Sequence, residues 1–170
     1  MVATVERRDV PEVVGVEHFI RDLAVLEPVY VEGGGDMTRM MRVDGSSWID
    51  PRPVPVVLKG IARYYGVDLT AVRERYGDIL GKRLHVPLPF STHLVLVPLK
   101  MRTPRVAKDG TTGYVAAHVI TGIAEGHSPT ACRLDLSEGR TLTCLQSADF
   151  AHQQLRHARI VQTFYVERMR

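Results

Sequence analysis

Of the 170 residues only two are cysteine, Cys132 and Cys144, and one is tryptophan. Two thiols in a chain this long do not make a disulfide framework, and in a reducing compartment they are expected to stay free. No run of about 18 apolar residues occurs, so no membrane-spanning helix and no membrane partner are expected. The acidic start MVATVERRDVPEV has neither the basic nor the apolar region of a signal peptide, and a soluble, cytoplasmic protein is the expectation. Internal repeats and low-complexity tracts are lacking too.

Catalytic motifs are equally scarce. Seven histidines, at positions 18, 85, 93, 118, 127, 152 and 157, form no HExxH pair. His152 and His157 are five apart, which places them on different faces of a helix. There is no GxSxG elbow. The triple glycine at 33–35 is followed by no P-loop lysine, and it reads as a hairpin turn. Gly77 to Lys82 has one residue too few for a Walker loop, and Arg83 stands where a Ser or Thr would hold magnesium. His118, inside an apolar stretch, reads as a hydrogen-bonded core side chain. No catalytic residue, cofactor or metal is assigned, and no enzymatic activity is expected. An enzyme built from a nonlocal constellation of His118, His127 and the cysteines is the weaker alternative.

What is present is charge, unevenly spread. Residues 52–108 hold eleven basic side chains against three acidic ones, a balance of +8, while residues 1–51 stand at −5 and residues 109–170 at zero. A concentrated positive field attracts a polyanion, whereas a dispersed one chiefly aids solubility. Nucleic acid becomes the leading partner class. A protein-interaction module whose basic face docks an acidic partner is the alternative.

With 45% hydrophobic residues the chain can bury one sizeable core. Val13, Val16, Ile20 and Leu23 recur at near-helical spacing and predict an amphipathic helix from about 12 to 26 that Pro28 stops. Residues 1–26 are thus read as an acidic helical arm and residues 27–170 as a single domain. Val29–Val31 and Met37–Val43 predict a hairpin. Pro55 suits the first turn of a helix over about 56–65 that Gly66 ends. Asp68 is a plausible N-cap for a second helix over about 69–80, closed by Gly81. With Arg73 and Arg75 on the second, the pair invites a helix-turn-helix reading, against the plainer one of a solvated basic face.

Alternation over Leu84–Phe90, with Pro87 and Pro89, predicts an edge strand, and His93–Leu99 a central one. A basic loop, 100–109, and a long strand, 113–123, follow. A three-residue loop at Ser137-Glu138-Gly139 pairs Leu134 with Leu142 and sets Cys132 across from Cys144, keeping the apolar face consistent. Ser147 is the cap of a last helix over about 148–161, with Phe150, Ala151, Leu155 and Ala158 toward the core and His152, Arg156 and His157 outside. The expected class is α+β: an antiparallel sheet built from hairpins, with two inserted helices and a C-terminal helix.

Several of these segments together resemble the ComK-type competence transcription factors. VPVVLKGIARYYG is similar to the segment ending in paired aromatics and Gly that introduces that family's shared region. Arg73, Leu80-Gly81 and Val86-Pro87-Leu88 follow at similar spacings, as do LVLVPLKMRTPR, Gly113-Tyr114-Val115, His118-Val119 and LSEGRTLTCL. The likeness spans about residues 36–162. It departs at Val67-Asp68, where the family has Ser-Ser, and at Tyr114, where it has Trp.

The resemblance implies an activator that binds paired AT-rich boxes upstream of DNA-uptake genes. Binding would run mainly through the minor groove, as a homo-oligomer, under control of a proteolytic adaptor protein. Narrow A-tract grooves are strongly negative and accept inserted Arg or Lys. On this reading Lys100, Arg102, Arg105 and Lys108 contact groove or phosphate, Arg73, Arg75, Lys82 and Arg83 clamp flanking phosphates, and Arg63 completes the set.

Overall fold

The structure, a computed structural model, describes the backbone of residues 4 and 5 and all of residues 10–170. Its central element is β2, Leu23–Val31, in which every residue but Glu27 is buried. A strand flanked on both edges and covered on both faces needs apolar residues at successive positions rather than alternate ones. That requirement overturns the helix expected over 12–26. Residues Val16–His18 and Ile20–Asp22 form two 3-10 turns, and Leu23 already starts β2.

Nor do residues 10–26 form a separate arm. Phe19 is 2% exposed and packs on Trp48 at 5.5 Å between ring centroids. The Glu12 N–H donates to the Ile49 carbonyl at 2.8 Å and the Val43 N–H to that of Asp22 at 2.7 Å. A boundary at residue 26 would cut β2 in two. Residues 1–3 and 6–9 of the expected arm lie outside the described residues.

β1 (Thr4–Val5) pairs parallel with β2. β3 (Gly35–Arg42) and β4 (Ser47–Asp50) complete an antiparallel meander with β2. The chain then makes α1 (Val54–Tyr65) and α2 (Leu69–Leu80) before returning as β5 (Leu88–Pro89), β6 (Val95–Lys100) and β7 (Thr112–Ala116). β7 slots in beside β2, giving the order β4-β3-β2-β7-β6-β5 with all six antiparallel. Of the expected edge strand over 84–90 only Leu88 and Pro89 pair with β6. Proline has no N–H to offer, and Pro87 and Pro89 keep the ladder short.

The long strand expected over 113–123 is broken. A 3-10 turn at Ala117–Val119 carries the chain from β7 into β8 (Ile120–Glu125), which belongs to a second, three-stranded sheet with β9 (Cys132–Leu136) and β10 (Thr141–Cys144). His118 sits on that turn and is exposed, not in the core as expected. The β9–β10 register sets Leu134 opposite Leu142 and Cys132 opposite Cys144, with Glu138 and Gly139 both left-handed in the loop. Both thiols are free and buried.

Ser147 accepts the Phe150 N–H at 3.1 Å and opens α3 (Ala148–Arg168), which packs on both sheets and on α2. The class is therefore α+β, with two helices inserted and a third closing the chain, but with two sheets rather than one. No helix among the described residues is long and apolar enough to cross a membrane.

Candidate nucleic-acid interface

α1 buries Val54, Val57, Leu58, Ile61 and Ala62, the stripe that a 3.6-residue period places on one side, and leaves Lys59 and Arg63, four apart, on the exposed side. Gly66, at φ 69°, ends the helix in the left-handed conformation, and its N–H returns to the Arg63 carbonyl at 3.1 Å. Two residues on, the Asp68 carboxylate accepts the Ala71 N–H at 3.0 Å and starts α2. α2 buries only Tyr76 and Gly77, so Arg73 and Arg75 stay exposed.

Gly77 has a specific job. A Cβ there would stand 2.5 Å from the Lys82 carbonyl, so only glycine lets the chain fold back this closely over the helix. The return brings Lys82 and Arg83 into one shallow concavity with Arg73, rimmed by Glu74 and Asp78. Arg75 does not join them. It lies on the far side of α2, in a groove shared with Tyr76 and Arg168.

Lys82 is held in place by a residue sequence reasoning missed. Gln154 is fully buried in α3, its Oε1 accepts the Lys82 ammonium at 2.5 Å, and its Nε2 donates to the carbonyls of His85 and Pro98, each at 2.9 Å. Leu155, expected in the core, is only half-buried. Burial without a carboxylate partner brings the Lys82 ammonium down to about 8. His85 and His157 are lowered as well, first by burial and then by the charge of Lys82.

The basic loop behaves differently from expectation. Arg102 is 6% exposed, its Nη2 is 2.7 Å from Asp36 Oδ1, and its Nε donates to the Gly110 carbonyl at 2.8 Å. Its guanidinium lies 4.2 Å from the ring centroid of Tyr30, and that of Arg105 lies 4.3 Å from the same ring. The Arg105 N–H donates to Tyr30 Oη at 2.8 Å, and Tyr30 Oη donates to Asp109 at 2.6 Å. These contacts lash the loop to β2 and β3. Arg102 is thus removed from the groove-contact set: it is an internal strut neutralised by a carboxylate from the acidic first third of the chain. Arg105 is exposed but committed to Tyr30.

The other seven candidates, Arg63, Arg73, Arg75, Lys82, Arg83, Lys100 and Lys108, have no carboxylate within ion-pair distance among the described residues. Lys100 stands opposite Thr112 across β6 and β7, beside the cavity that also takes Arg73. Lys108 is exposed on the loop. Lys59 joins the Arg73 side through that cavity, and its spacing to Arg63 on α1 was the signal that could have added it to the set. Among the described residues no three His, Cys, Asp or Glu side chains stand together as metal ligands. Compared with protein-family models, with curated proteins and with solved structures, the chain matches none.

Proposed function

We propose that this chain is a DNA-binding transcriptional regulator of the ComK type, acting without catalysis on AT-rich duplex. It would work in the cytoplasm, at the nucleoid when bound to DNA, as a homo-oligomer subject to an adaptor protein. The observation that supports this reading best is the group of cations around α2. Arg73, Lys82 and Arg83 share one concavity, carry no ion-pair partner among the described residues, and adjoin Lys59 through Arg73. Unpaired cations gathered on a helix flank release counterions when they meet phosphates, which is the main source of affinity for a polyanion. Arg63, Lys100 and Lys108 extend the positive field, and Arg75 faces away from it.

The test is binding of the full chain to AT-rich and GC-rich duplexes across a salt series. The reading expects tighter binding to the AT-rich duplex, with a log-log salt slope that flattens by about 0.9 for each phosphate contact removed. Failure of the folded, ligand-free protein to shift AT-rich duplex at low salt would overturn it. Retention of binding to an acidic protein in the presence of excess duplex would favour the interaction-module alternative.

A further inference from the structure

The chain has four lysines, at positions 59, 82, 100 and 108, and Lys82 is the one whose side-chain nitrogen is held from inside the fold. The amide nitrogen of Gln154 is engaged by the His85 and Pro98 carbonyls, so its oxygen is fixed toward Lys82 and meets Nζ at 2.5 Å. That oxygen holds either form of the group. A neutral amine still has an N–H to donate to it, and the lone pair then points away from the amide.

The surroundings of this nitrogen disfavour charge on it. Gln154 is fully buried and neutral, and β6 contributes the uncharged Pro98 carbonyl. His157 on α3 and His85 on the turn after α2 both feel the charge of Lys82. Arg83 follows directly in the chain, and Arg73 lines the same concavity. Glu74 and Asp78 rim it, but among the described residues neither comes within ion-pair distance of Lys82. Lys82 is nonetheless half-buried rather than closed off, at the edge of a concavity of about 160 Å³. An amine kept neutral is a nucleophile, and one set among cations draws an electrophile that is itself an anion.

We propose that Lys82 is a covalent acylation site for a small acyl phosphate. The amine lone pair attacks the carbonyl carbon and a C–N bond forms. The bond from that carbon to the bridging oxygen breaks, and its electron pair leaves with the phosphate. The proton lost by nitrogen ends on the phosphate, so the products are an amide at Lys82 and inorganic phosphate, with no change of oxidation state. Arg73 and Arg83 raise the local concentration of the anionic donor. At pH 8 about half of Lys82 is free amine, against about one in 300 for a lysine at its ordinary value. Lower basicity and partial burial offset part of that advantage. The amide carries no charge, so the cluster around α2 loses a cation. That consequence alone rests on the DNA-binding reading, because the reaction is followed without DNA.

The test incubates the full chain with acetyl phosphate at pH 8 and reads the occupancy of each lysine by peptide mass mapping. Lys82 is expected to react at least about fivefold faster than Lys59, Lys100 or Lys108. Its rate is expected to level off above about pH 9 while theirs keep rising. In an Arg73→Gln, Arg83→Gln double variant, with both changes on the surface, the Lys82 rate is expected to fall at least about threefold with acetyl phosphate. With p-nitrophenyl acetate, a neutral acyl donor, it is expected to change less than about twofold. A Lys82 rate less than about fivefold above the other three, a rate at Lys82 still climbing at about pH 10, or a double variant unaffected with acetyl phosphate or slowed equally with both donors overturns the proposal. The comparison among the four lysines and the pH profile use the parent protein, so they decide the matter where the double variant fails to fold.

Discussion

The Lys82 ammonium and the Gln154 side-chain carbonyl meet at 2.5 Å across the junction of α2 and α3, and Gln154 in turn ties down the carbonyls of His85 and Pro98. One neutral side chain therefore holds a cation, a turn and a strand of the main sheet in register. Replacing it with Leu keeps the volume but leaves two carbonyls and an ammonium without partners. Gln154→Leu is expected to cost about 2–4 kcal/mol in urea unfolding, since each buried group left unpaired costs about 1–3 kcal/mol and part of the loss relaxes.

The depressed Lys82 sets a pH dependence of definite sign. In the unfolded chain this lysine titrates near its ordinary 10.5, and in the folded chain near 8. Between those values the unfolded state binds the extra proton, so folding stability gains from this group as pH rises from about 8 to 10.5, and the full penalty applies below 8. The difference in stability between the parent protein and Lys82→Met is expected to shift in favour of the parent over that window. DNA affinity is expected to fall over the same window, because the neutral amine no longer attracts phosphate. Urea titrations and duplex binding at pH 7, 8 and 9.5 check both signs.

Arg102 and Arg73 separate structural from surface cations. Breaking a buried ion pair on one side costs about 3–5 kcal/mol, and because Asp36 is partly exposed about 2–3 kcal/mol is expected for Arg102→Met by urea unfolding. Arg73→Ala, on the surface of α2, is expected to change stability by less than about 0.5 kcal/mol. Only Arg73→Ala is expected to flatten the salt dependence of duplex binding, by about 0.9.

Gly77→Ala tests how the chain return over α2 places the basic cluster. Its new methyl would meet main-chain rather than side-chain atoms at Lys82, so relief requires the return itself to move. A cost of about 1–3 kcal/mol is expected, with weaker duplex binding by the protein that remains folded at low temperature.

The cysteine pair is expected to be inert. Burial raises both thiols, and Cys144 is pushed up to about 12, so almost no thiolate exists near neutral pH. A thiol-reactive disulfide reagent at pH 8 is expected to label neither cysteine in the folded protein and both in urea. Rapid labelling of the native state would show that this hairpin opens readily.

Much of the local structure is legible in the residues alone because its causes are local. The span of α2 follows from Asp68 at one end and Gly81 at the other, and the β9–β10 register follows from where the leucines must point. The faces of α1 follow from a period of 3.6. Where the cause lies far off along the chain, only the folded molecule decides. The spacing of Val13, Val16, Ile20 and Leu23 fits a helix, but β3 and β7 arrive on either side of residues 23–31 and make them a central strand. Arg102 reads as one more cation of a basic loop until β3 brings Asp36 and β2 brings Tyr30 beside it. A positive run reveals how much charge a segment carries and nothing about which carboxylate, ring or carbonyl will stand opposite each side chain, since that depends on how distant strands pair.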